Sequence, residues 1–141
     1  MLAGASSRGN LNRAVRTILA MGPKTVIVKL DGRLAMAVVP ATHEVDMSRL
    51  RTASGATFVE LADTSEFIDH LEGCQLGTMP PFGNLFGMET YLEQDMAKQE
   101  HIAFNAGTHT EAIIIPFAEY RRLAHPMLAH IATTNIAVAT R

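Results

Sequence analysis

Cysteine is nearly absent: Cys74 is the single one among 141 residues, so no disulfide can close within the chain and no cysteine-built zinc site can form. A reducing cytoplasm suits such a chain. Long apolar runs are missing as well. The longest, residues 34–41 and 112–118, fall far short of the ~20 residues that cross a bilayer, and the N-terminus has no apolar core of a signal peptide. Neither a membrane nor an export role is expected. Clustered positive charge is also lacking, since the formal net charge is −2, which argues against gripping nucleic acid by charge alone. The distribution is uneven, however. Residues 1–51 hold eight basic side chains against three acids, and the rest holds four against eleven. That asymmetry permits a basic face toward the end of a polyanion, although solvated surface charges give the same pattern.

Several chemical signatures are absent too. No dinucleotide or P-loop glycine pattern follows the first expected strand. The six histidines, His43, His70, His101, His109, His125 and His130, show no H-x-x-x-H or H-E-x-x-H spacing, so no metal site is expected. Ser6, Ser7 and Cys74 stand outside any nucleophile-elbow sequence, which leaves covalent catalysis without a candidate. No repeat or low-complexity tract occurs, and no linker divides the chain, so one domain over residues 1–141 is expected. A hydrophobic content of 48% suffices for one real core.

What is present reads as short alternating elements. Asn10 can cap a helix whose apolar positions Leu11, Val15, Ile18 and Leu19 recur at helical spacing, and Gly22-Pro23 ends it. Residues 24–30 are rich in β-branched side chains, Asp31-Gly32 is a two-residue hairpin signal, and residues 33–39 form the returning strand. Residues 40–43 break that strand. A short helix over 46–50 with Asp46 as cap follows, then a strand at 57–61. Asp63 or Thr64 can cap a helix running to Leu71, with Phe67, Ile68 and Leu71 on its inner side and Gly73 as its stop. Residues 77–87 form a Gly/Pro-rich loop. Strands are expected at 89–92, 101–105 and 111–116, and a helix at 118–123; the segment after Pro126 is ambiguous. Hairpin chemistry and short helices favour an α+β class with a mixed, mainly antiparallel sheet.

Three features could bear chemistry. Lys24 lies between a Gly-Pro break and an apolar strand, so a firmly held backbone presents a mobile ammonium; a solvated strand-start lysine is the plain alternative. The loop from Gly77 to Gly83 can turn successive N–H groups toward one point, because glycine tolerates positive φ and proline fixes its own, and such donors stabilise an oxyanion. A simple surface turn is its plain reading, with Phe82 as an anchor rather than a stacking platform. The turn from Asn105 to Thr110 offers amide, hydroxyl and imidazole groups, and His109 alone there trades protons near neutral pH. A hairpin turn with satisfied hydrogen bonds is the plain reading of it.

The order of these features resembles the YbaK/ProX family of aminoacyl-tRNA deacylases. Lys24-Thr25-Val26-Ile27-Val28 resembles the family's K-T-L-V-V segment, Val38-Val39-Pro40-Ala41-Thr42 the end of its next strand, and Gly77 to Gly83 its G-x-x-x-P-F-G loop. Phe104 to Gly107 and the helix ending in Arg122-Leu123 follow in register. The resemblance implies a mixed sheet partly closed into a barrel and trans-acting hydrolysis of the ester that joins a wrong amino acid to the 3′ end of tRNA. It implies Lys24 and Gly77 as catalytic residues, the ammonium holding substrate and the loop around Gly77 and Gly83 donating to the carbonyl. Thr25, Pro81, Phe82, Gly83, Asn105, Gly107 and His109 are the implied substrate-binding residues. No metal or cofactor is implied. The partner it implies is a tRNA acceptor end, with an aminoacyl-tRNA synthetase as a further candidate.

Family members usually place a helix and a strand ahead of the first shared helix. Here only Met1 to Arg13 precedes it, so the domain is expected to be shortened at its N-terminus, and a homodimer would cover the edge this exposes. The turn after Asn105 reads Gly107-Thr108-His109-Thr110 in place of the common G-K-R-G. A catalytically silent module of the same fold, binding a tRNA end, a nucleotide or a synthetase, is the alternative reading, since function does not follow from fold. The amino acid removed is not legible, because a hydrophobic pocket separates side chains by only about 1–3 kcal/mol per methylene.

Overall fold

The computed structural model describes residues 23–71, 79–105 and 112–134. The helix expected from Asn10, the stop at Gly73, and Gly77, Gly107 and His109 lie outside the described residues.

Strands β1 (Pro23–Leu30) and β2 (Arg33–Pro40) form the expected antiparallel hairpin, with Lys24 opposite Val39 and Leu30 opposite Arg33. Asp31 and Gly32 both take positive φ, 52° and 86°, as a two-residue turn matching the right-handed strand twist requires. The Asp31 carboxylate accepts the backbone N–H groups of Thr57 and Phe58, which holds its carboxyl below the ordinary carboxylate range. This ties the hairpin tip to β4 (Val59–Leu61), which pairs antiparallel with β1. On the other side β2 pairs parallel with β5 (Glu89–Glu93), and β5 pairs parallel with β8 (Met127–Ala129). The sheet order is β4-β1-β2-β5-β8. Two antiparallel ribbons stand apart from it, β3 (His43–Val45) with β9 (Ala132–Thr134), and β6 (His101–Asn105) with β7 (Ala112–Pro116).

The class is α+β with a mixed sheet, but the expected partial closure into a barrel is corrected. Among the described residues the sheet is open, with three-residue strands β4 and β8 at its edges and no ladder between them. Both faces of the β1-β2 pair are nevertheless covered. Ile27, Met36, Val38 and Leu92 pack on one side with Phe104, Phe117 and Tyr120. Val28, Leu30, Ala35, Ala37, Val39 and Tyr91 pack on the other with Leu50 and Ile131. Residues Ala35 to Val39 are therefore all buried, which is why β2 is a continuous apolar run without alternation.

Helix α1 (Met47–Ser54) is capped by Asp46, whose carboxylate accepts from the N–H groups of Ser48 and Arg49. It runs past residue 50 until Gly55, at φ 75°, stops it. Helix α2 (Thr64–Phe67) starts where Asp63 N–H donates to Glu66, then tightens into a 3-10 turn, Ile68–Leu71. That change of pitch corrects one expectation. Phe67 packs against the first core cluster, but Ile68 is turned outward and is 48% exposed. Further 3-10 turns span Gly83–Phe86 and Gln94–Lys98. Helix α3 (Phe117–Ala124) buries Phe117, Tyr120 and Ala124 at helical spacing.

Candidate functional site

Because Pro23 pairs with Pro40 and Lys24 with Val39, the start of β1 and the end of β2 lie at the same end of the sheet. The C-terminal end of β6 and the loop of residues 79–82 meet them there. Together they line a cavity of about 260 Å³ whose walls include Lys24, Thr25, Ala41, Pro81, Phe104 and Asn105. Four sequence-selected residues, Lys24, Thr25, Pro81 and Asn105, thus come to one place from segments up to 81 positions apart. Met79 and Phe104 are buried and make part of the wall apolar. Polar groups available at the cavity are an ammonium, a hydroxyl and a carboxamide, a set that can hold an anion or polarise a carbonyl.

Lys24 Nζ lies 3.0 Å from Glu44 Oε2, and its side chain is 32% exposed. An ion pair of this exposure contributes about 1 kcal/mol or less, so an incoming phosphate or carbonyl oxygen can compete for the ammonium.

The loop behind the cavity is locked from within. Pro80 and Pro81 have no amide hydrogen, Phe82 N–H donates to the Pro80 carbonyl at 2.7 Å, and Gly83 N–H donates to Thr90 Oγ1 at 2.8 Å. The expected backbone donor at Gly83 is therefore corrected, since its hydrogen bond is spent on the core. Glycine is needed there for space: a Cβ would stand 2.5 Å from Thr90 Oγ1 and 2.6 Å from the Met88 carbonyl. Gly83→Ala is accordingly expected to cost about 2–3 kcal/mol, read as a lower denaturation midpoint in urea with an unchanged slope. Phe82 does not line the cavity. Its ring is wedged edge-on between Phe104 and Tyr120, at centroid separations of 5.3 and 5.1 Å, and holds the loop to the core.

A second polar centre was not visible in the sequence. Glu93 is 3% exposed; Oε1 accepts from Ile131 and Ala132 N–H, and Oε2 from Asp95 N–H and the His130 ring. Burial works to raise its carboxyl, but these hydrogen bonds outweigh burial and hold it below the usual range. Glu93, Asp95 and His130 bring their donor atoms within 4.8 Å of one another beside a cavity of about 310 Å³. All four acceptor directions of Glu93 are nonetheless turned to protein groups, and Lys98 lies 3.4 Å from Asp95. The available signal was a glutamate directly after the apolar pair Tyr91-Leu92 at the end of strand 89–93.

Residues 10–123 match the family model described as the aminoacyl-tRNA editing domain. The chain is 32% identical over 125 residues to the multifunctional Ser/Thr-tRNA deacylase ProXp-y of Escherichia coli (strain K12), covering 84% of this chain and 73% of that protein. It is also 35% identical over 74 residues to a proline--tRNA ligase of Bacillus mycoides (strain KBAB4), covering 52% of this chain and 13% of that one. Among solved structures, a candidate trans-editing enzyme for prolyl tRNA synthetase superposes with a TM-score of 0.70 at 19% identity, covering 94% of this chain and 85% of that one. That likeness shows the shared fold.

Proposed function

Because this chain belongs to the family of aminoacyl-tRNA editing domains, we propose that the Lys24 cavity hydrolyses, in trans, the ester between a wrongly attached small amino acid and the 3′ end of tRNA. The observation that supports this most is the convergence of Lys24, Thr25 and Asn105 on one small, partly apolar cavity. The ammonium of Lys24 leaves Glu44 for the substrate, gripping the terminal phosphate or the ester carbonyl. Asn105 and Thr25 supply neutral donors at the same place, and Gly77 adds a backbone donor in this reading. Gly107 and His109, which follow Asn105 in the chain, complete the substrate side.

Attack by water on the ester carbon gives a tetrahedral oxyanion. Its collapse breaks the bond to the ribose oxygen, which takes up the proton released by the water. An activated ester of this kind needs oxyanion stabilisation more than a strong nucleophile, and one preorganised donor contributes roughly 3 kcal/mol. No step requires a metal or cofactor.

A small acyl side chain is supported by the relative at 32% identity, which is named a multifunctional Ser/Thr-tRNA deacylase. Incubated with a panel of mischarged tRNAs, the protein is expected to release serine, alanine or threonine fastest, with rates about 10-fold or more lower for side chains larger than these. Binding without release of amino acid from any species overturns the reading and leaves a silent binding module. A synthetase and a second copy of the chain belong to the same proposal, and the exposed Phe58, just before edge strand β4, and Leu61, at its end, offer apolar surface to either. None of the helices among the described residues is long and apolar enough to cross a membrane, and the cytoplasm is the proposed location.

A further inference from the structure

We infer that Tyr120 of α3 is a positioning residue that fixes the walls of the acyl cavity and thereby sets which amino acid fits; this rests on the reading of the Lys24 cavity as a deacylase site. Tyr120 is fully buried, and its hydroxyl donates to the carbonyl of Pro81 at 2.6 Å. Pro81 is itself a wall of the cavity. Pro81 has no N–H and its φ is fixed by its ring, so the position of its carbonyl decides where the wall stands. Burial raises the phenol well above its ordinary range, and the group stays a donor across the whole working pH span.

The same ring reaches a second wall. Phe82 stands edge-on to Tyr120 at 5.1 Å and edge-on to Phe104 at 5.3 Å, and Phe104 lines the cavity. Tyr120 therefore backs one wall through a hydrogen bond and the other through an aromatic contact. Phe117 also contacts the Tyr120 ring, at a centroid separation of 5.8 Å. Closely packed neighbours pass on displacements of this kind without absorbing them, so a shift at Tyr120 reaches the cavity as a change in volume.

Tyr120→Phe keeps the ring and removes only the hydrogen bond. Its test compares two non-hydrolysable amide analogues, seryl- and leucyl-amidoadenosine, by binding affinity, and the matching mischarged tRNAs by kcat and KM. The expected result is a roughly 5- to 10-fold loss of discrimination between the small and the large side chain, appearing in KM and in the Kd ratio, with kcat for the small substrate within about twofold. Ile131→Val serves as the control, because it loosens the opposite core cluster and should lower stability without changing the ratio. Unchanged discrimination in Tyr120→Phe, or an equal change in Ile131→Val, overturns the inference. Equal affinity of the wild type for both analogues also overturns it, while binding with discrimination but no turnover by the wild type sinks the deacylase reading alone.

Discussion

Lys24→Ala is expected to lower kcat/KM for the preferred mischarged tRNA by about 100- to 1,000-fold, the usual effect of deleting one preorganised electrostatic contact to an oxyanion. Stability should hardly change. The ammonium contributes an exposed ion pair with Glu44 at 3.0 Å, and such pairs contribute about 1 kcal/mol or less. Activity and folding are thus separable at this position, and a thermal scan run beside the kinetics checks that they separate. Lys24→Arg is not expected to restore activity, since a planar fork on a longer stem does not reproduce a compact point charge inside about 260 Å³. A large loss of stability in Lys24→Ala would mean that the residue is structural.

Glu93→Ala is expected to do the opposite, destabilising the fold by about 3–5 kcal/mol, because removing one partner leaves several buried groups unsatisfied. The N–H groups of Ile131 and Ala132, both 2.8 Å from the carboxylate, lose their acceptor in a buried corner, and the turn from β8 into β9 loses its anchor to the end of β5. For a domain of this size the shift in Tm is on the order of 10 °C. The pH dependence follows from the lowered carboxyl. Since its folded value lies below the ordinary 4.5, its contribution is fully present above that value and is lost as pH falls through the folded one. Urea unfolding followed from pH 6 down to pH 3 should show a steeper fall in wild type than in Glu93→Gln.

The hairpin was legible because its signal is local: a β-branched run over residues 24–30, the Asp31-Gly32 turn and an apolar run after it specify strand, turn and strand with no reference to the rest of the chain. Asp46 and the helix ending near Leu123 were legible for the same reason, through capping and a 3.6-residue apolar period. The parallel pairings of β5 with β2 and β8 were not, since they join segments far apart in sequence, and three-residue strands such as β8 and β9 are too short to show any period. An open sheet stands where a partial barrel was expected.

At the site, Lys24, Thr25, Pro81 and Asn105 line one cavity, a convergence that no spacing among them could show. Gly83 was misread for a definable reason. Glycine in a sequence marks permissive backbone or tight space, and it does not say which way the N–H points; here it points to Thr90. Tyr120 and Glu93 escaped notice because each acts through backbone groups, Pro81 in one case and residues 131 and 132 in the other, that no side-chain motif announces.

The most direct test uses limiting enzyme. With tRNA mischarged with serine, alanine or threonine in several-fold excess, the wild type should release more amino acid than there is protein present, and Lys24→Ala should stay near the spontaneous rate. Stoichiometric binding of every species with release no faster than in buffer would contradict the account.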